Sequence, residues 1–173
     1  MTDAETQLAG YFAKYQPAMV KLGKALRAKL RARLPGLFEI VYMYENQNAL
    51  VISYSPTERG YEAVCSISVY PHVVKLGFGR GAELSKSDPH RLLQGQGKLA
   101  RYVEMNAVAD FGRPGIEALI ADAVKLAKLR LDPDAKGAMI IKADEQKQRA
   151  RRTTKTAPAA SPRRAQTRQS RKT

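Results

Sequence analysis

The chain has 173 residues, 44% of them hydrophobic, and a formal net charge of +14. That length predicts one domain with a substantial core rather than an assembly of several. A lone cysteine, Cys65, excludes an intramolecular disulfide and a cysteine-based zinc centre, and no apolar run approaches the roughly 20 residues that span a bilayer.

The opening residues carry Asp3 and Glu5 rather than the basic and apolar pattern of a signal segment, so a soluble, cytoplasmic protein without a membrane partner is expected. Leu8, Tyr11 and Phe12 are spaced for a short helix over 4–14. Pro17 suits the first turn of a second helix running to about Leu34, where Pro35-Gly36 stops it. Met19, Leu22, Gly23, Leu26 and Leu30 form its apolar stripe. Its other faces carry Lys21, Lys24, Arg27, Lys29, Arg31 and Arg33 without one acid. Such a run reads either as a solvated face flanking the core or as a binding face.

Strands follow. Leu37–Tyr44 and Ala49–Tyr54 are β-rich and joined by Glu45-Asn46-Gln47-Asn48, a hairpin loop. Cys65, Ile67 and Val69 alternate with Ser66, Ser68 and Tyr70. Val74, Leu76 and Phe78 alternate with Lys75 and Gly77. This period of two predicts an antiparallel sheet with one buried and one more polar face. Tyr42, Tyr44, Ser66, Ser68 and Lys75 would line the polar face. Lys98–Met105 supplies a last strand, and a final helix opens at Pro114, with Ile116, Leu119, Ile120, Ala123 and Ala127 as its stripe and Asp132-Pro133 as its stop. The fold class is α+β: an antiparallel sheet of about five strands with N- and C-terminal helices packed on one face.

The domain is expected over 1–133 and a basic low-complexity tail over 134–173, with Gly137–Ile141 as a brief apolar remnant that docks on the domain. Residues 1–133 hold 18 Lys and Arg against 13 Asp and Glu, while residues 134–173 hold 12 against 3. A segment of that composition buries too little surface to offset its chain entropy, so disorder is expected there. Arg149, Arg151, Arg152, Lys155, Arg163, Arg164, Arg168, Arg171 and Lys172 are its candidate nucleic-acid contacts, through phosphates.

No complete catalytic constellation is present, and no cofactor is expected. Gly95-Gln96-Gly97-Lys98 lacks both the first glycine and the following Ser/Thr of a phosphate-binding loop, since Leu92 and Leu99 stand there. Gly77-Phe78-Gly79-Arg80-Gly81 lacks dinucleotide-binding spacing, and Lys75–Gly79 echoes an RNA-binding strand only until Arg80. His72 and His90 lie in loops without metal-ligand spacing, and no metal site is expected. What remains is a glycine-rich cationic region: Lys75, Arg80, Lys98 and Arg101 form a candidate anion site, with turn-forming glycines and ion pairs to Glu83, Asp88 or Glu104 as the alternative.

Val74-Lys75-Leu76-Gly77-Phe78, Gly81-Ala82-x-Leu84, Asp88-Pro89-x-x-Leu92-Leu93-x-Gly95-x-Gly97-Lys98 and Arg101-Tyr102-Val103 together resemble the YdhG-like family of domains of unknown function over residues 5–131. The resemblance implies a compact α+β fold of frataxin-like character. Some members are described as iron-chaperone-like, yet here the opening helices carry Asp3, Glu5 and six bases, and no metal ligand is carried over. The expected function is a non-enzymatic binding or accessory module for an anionic ligand or partner. The alternatives are nucleic-acid association through the tail and iron-chaperone-like activity.

Overall fold

Six strands lie in the order β5-β4-β3-β2-β1-β6 in a computed structural model that describes residues 3–142. The strands are β1 (Phe38–Tyr44), β2 (Ala49–Ser55), β3 (Cys65–Val69), β4 (Val74–Phe78), β5 (Arg101–Met105) and β6 (Met139–Ile141). The helices are α1 (Asp3–Phe12), α2 (Pro17–Arg33), the single turn α3 (Gly81–Leu84) and α4 (Pro114–Leu126). The α+β class stands. The expected five-stranded antiparallel sheet is corrected to a mixed sheet of six, because β6 runs parallel to β1 with Ile140 opposite Ile40.

That sixth strand lies beyond the boundary expected at 133. Glu39 donates its N–H to the Ala138 carbonyl at 2.9 Å and Lys142 donates its own to Val41 at 2.8 Å, so the segment satisfies an edge that β1 would otherwise expose. The compact unit runs to residue 143. The tail beyond it, with its expected disorder and its nine candidate bases from Arg149 to Lys172, lies outside the described residues.

Register explains the core. Val41, Ile52, Ile67, Leu76 and Val103 stand opposite one another across five strands, and Met43, Leu50, Val69, Val74 and Met105 form the next row. Both rows are buried, and the inward residues of α1 (Leu8, Phe12), α2 (Leu22, Leu26, Leu30) and α4 (Ile116, Leu119, Ile120, Ala123) join them in one apolar cluster. Gly23 lets α2 come close. A Cβ there would lie 3.0 Å from both Phe12 Cε1 and Val69 Cγ2. Gly36 has φ +80°, a left-handed turn between α2 and β1 that other residues adopt only at a cost.

Two boundaries differ from expectation. The last long strand begins at Arg101 rather than Lys98, because Gln94 pairs with Tyr102 across the outer edge of β5 and residues 95–100 loop out. The final helix ends at Leu126, since Lys128 takes a left-handed conformation (φ 55°) and the backbone turns there. α3 has no counterpart among the expected elements; one turn inside a glycine-rich stretch leaves no periodicity to read.

Cys65 is buried in β3, and burial alone pushes its thiol up to about 12. Iodoacetamide at about pH 8 is therefore expected to leave the native chain unlabelled and to label it on denaturation. Labelling of the native chain at the rate of a free thiol would show that β3 opens readily.

Candidate functional site

The four bases of the expected anion site are not gathered at one point. Lys75 sits on the sheet face away from the helices, in the row Tyr42, Val51, Ser68, Lys75, Glu104. Its Nζ lies 4.0 Å from the Tyr102 ring centroid, 5.4 Å from that of Tyr70 and 3.6 Å from Glu104 Oε1. Its charge is thus met within the domain. Arg101 stands opposite Phe78, on the helix side of the sheet, because an odd offset along β5 reverses the face. Its guanidinium donates to the carbonyls of Gly97 and Ala100.

Arg80 is held bidentately by Glu83, both bonds at 2.7 Å, and donates at 3.0 Å to the Leu126 carbonyl at the end of α4. That pairing raises the Arg80 pKa and lowers that of Glu83. Lys98 is exposed and makes no ion pair among the described residues. Asp88 Oδ2 accepts the Leu93 N–H at 2.9 Å, which anchors the loop rather than capping a helix. Gly95, at φ +101°, passes against the Tyr102 ring where any side chain would be strained. The glycine-rich loop is thus built to fold against the sheet edge. Among the described residues, no three His, Cys, Asp or Glu side chains come together as a metal site would need.

Two cavities have more substance. The first, about 440 Å³, lies between the end of α2, the turn after it and residues 133–137, with Glu39 and Tyr54 lining it. Glu39 has the parity of Val41 and Met43 and is a buried carboxylate, 5% exposed. Arg27 answers it with two bonds, Nε to Oε1 at 2.9 Å and Nη2 to Oε2 at 2.7 Å, and also grips Glu5 at 2.7 and 3.0 Å. The Tyr54 hydroxyl donates to Glu39 at 3.0 Å. Burial, with the Glu39 charge beside it, raises the tyrosine pKa well above its ordinary value, while the Arg27 hydrogen bond lowers that of Glu5. The carboxylate is satisfied from within the fold, so this cluster ties α1, α2, β1 and β2 together and leaves little for a ligand to take up.

The second cavity is a groove of about 420 Å³ lined by Val64, Leu84, Leu99, Ala123, Leu126 and Tyr61 among others. Tyr61 is 80% exposed and Leu99 59%, the exposed large hydrophobic residues of the described chain. Arg80 also lines the groove, and the Ala82 N–H to Leu99 carbonyl bond at 2.8 Å fixes Leu99 beside α3. The acids here are committed: Glu62 accepts from Thr57 at 2.6 Å and lies 3.6 Å from Arg59, and Glu83 holds Arg80. Lys98 and Lys128, chain neighbours of the lining residues Leu99 and Ala127, carry no such partner among the described residues.

Sequence reasoning missed both. Tyr61 and Val64, Leu99, and Leu126 come from three separated segments, and nothing local links them. Two signals were present nonetheless: a glutamate at core parity in FEIVYMY, and a leucine in Lys98-Leu99-Ala100 that fits no periodic stripe. No protein-family model, curated protein or solved structure matches the chain.

Proposed function

We propose that this chain is a non-enzymatic binding module that takes an acidic segment of a partner protein, seating an apolar side chain of that segment in the groove beside α3 and α4. The observation that carries this reading is the pair Tyr61 and Leu99, left exposed over an apolar groove of about 420 Å³. Large exposed apolar residues around a concavity mark interaction sites, and aromatic and aliphatic anchors in such pockets dominate binding energies.

Charge sets the kind of partner. The chain carries +14 overall, the acids around the groove are already paired, and Lys98 and Lys128 remain for carboxylates of the ligand. Of the four bases expected to bind an anion, this reading retains Lys98 as a direct contact and Arg80 as a wall held in place by Glu83. The stretches that resemble the YdhG-like family, Gly81-Ala82-x-Leu84 and Leu92 to Lys98, supply or adjoin the groove through Leu84 and Leu99.

Selection from a displayed random-peptide library tests the reading. Peptides enriched on the full chain are expected to carry Leu, Phe or Trp flanked by Asp or Glu, and enrichment is expected to vanish on Leu99→Ser and Tyr61→Ser. Both positions are exposed, so the substitutions leave the fold intact. Enrichment that survives both variants would place binding elsewhere.

A further inference from the structure

The six bases of α2 are divided by the structure according to side-chain type. Its arginines are all engaged: Arg27 with Glu5 and Glu39, Arg31 with Glu5 at 3.4 Å, and Arg33 with Glu117 at 2.9 Å. Its lysines meet no acid, and two of them lie over aromatic rings. Lys21, Lys24 and Lys29 are exposed and make no ion pair among the described residues, and the same holds for Lys14 just after α1.

Lys21 and Lys24 share one surface, and Lys14 precedes it in the chain. Lys21, Lys24, Ala28 and Arg31 follow helical spacing along the crest of α2 that points away from Leu22, Leu26 and Leu30. Lys24 Nζ lies 5.7 Å from the Phe12 ring centroid, and Lys14, with its Nζ 5.7 Å from the Tyr11 ring centroid, stands three residues before the start of α2. Lys29 is on the other flank, over Phe111. Exposed Ala28 leaves a notch of about 280 Å³ between Lys24, Arg27 and Arg31.

We propose that this crest, with Lys14, Lys21 and Lys24 as its contacts, docks the phosphodiester backbone of nucleic acid. The proposal is independent of the groove reading. Lysines at helical spacing with no acid to neutralise them match a regular polyanion, whose bound counterions they would release. An anionic membrane fits less well. The leucines of α2 are in the core, so the crest has no apolar face to insert.

The test is fluorescence anisotropy of the full chain with a labelled duplex of about 20 base pairs, followed from about 50 to 200 mM salt. Each phosphate that is no longer neutralised takes roughly 0.9 off the slope of log affinity against log salt. The triple variant Lys14→Gln/Lys21→Gln/Lys24→Gln is expected to flatten that slope by about 2–3 units and weaken binding at low salt, while Lys14→Arg/Lys21→Arg/Lys24→Arg keeps the wild-type slope. An unchanged slope in the glutamine variant overturns the proposal and leaves any binding to residues outside the crest. So does absence of duplex binding by the wild-type chain. If the glutamine variant fails to bind vesicles of anionic phospholipid that the wild type binds, yet keeps its duplex binding intact, the crest is a membrane surface and the proposal is overturned.

Discussion

Replacing Arg27 by methionine is expected to destabilise the domain by about 3–5 kcal/mol, the cost of leaving a buried carboxylate without its partner. Glu39 would keep only the Tyr54 hydroxyl and the distant Arg31, whose Nη1 lies 3.8 Å away. Glu5 would lose its bonds at 3.0 and 2.7 Å to the same guanidinium and keep Arg31 at 3.4 Å. Chemical denaturation of the variant beside Arg27→Met/Glu39→Met and the wild type measures the coupling. The double variant is expected to recover much of the loss, since an apolar pair of similar volume carries no desolvation penalty.

The pH dependence has a definite sign. In the wild type the pKa of Glu5 is lowered by Arg27, so its contribution is present above the ordinary carboxylate value of 4.5 and is lost as pH falls through the lower folded value. In the Arg27 variant Glu5 lacks that partner, so the contribution made through it is absent at every pH. The gap between variant and wild type is therefore expected to narrow on acidification below about pH 4.5. A gap independent of pH would show that the loss is one of packing alone.

Ending the chain at residue 133 is expected to cost a further large amount, about 3–5 kcal/mol, whereas ending it at 143 is expected to cost little. The shorter chain loses β6, with the half-buried Met139 and Ile141 packed on the core, the bonds from Glu39 N–H to Ala138 and from Lys142 N–H to Val41, and the 2.7 Å bond from Lys142 Nζ to the Glu58 carbonyl. It would also bare the edge of β1, a template for pairing with other chains, so self-association is expected beside the lower midpoint. Equal thermal midpoints for the two lengths would show that β6 adds nothing to the sheet.

The sequence made the core legible because its signals are local. Alternation in CSISV and VKLGF, the leucine spacing of α2 and prolines at the first turns of α2 and α4 each depend on a few neighbouring residues. What was not legible depends on long-range pairing. Three residues, Met139–Ile141, are too few to establish a period, and their strand forms only because β1 offers an edge. The placement of the expected anion-binding bases was not legible for a related reason: Lys75 and Arg101 look equivalent in sequence, yet register places them on opposite faces of the sheet. Glu39 was visible as a glutamate at core parity, but nothing local pointed to Arg27 and Tyr54 as its partners. The basic face of α2 was legible as charge, but its division into paired arginines and free lysines required the positions of Glu5, Glu39 and Glu117.

Those free lysines and the apolar groove use different elements, so one measurement can separate them. Backbone amide NMR of the full chain, titrated with a peptide enriched in the library selection, locates the bound peptide on the domain. Binding in the groove is expected to give shift changes clustered at Tyr61–Val64, Gly79–Leu84, Lys98-Leu99 and Ala123–Ala127, absent in Leu99→Ser. Shift changes confined to α2, or spread evenly over the exposed lysines, would contradict it.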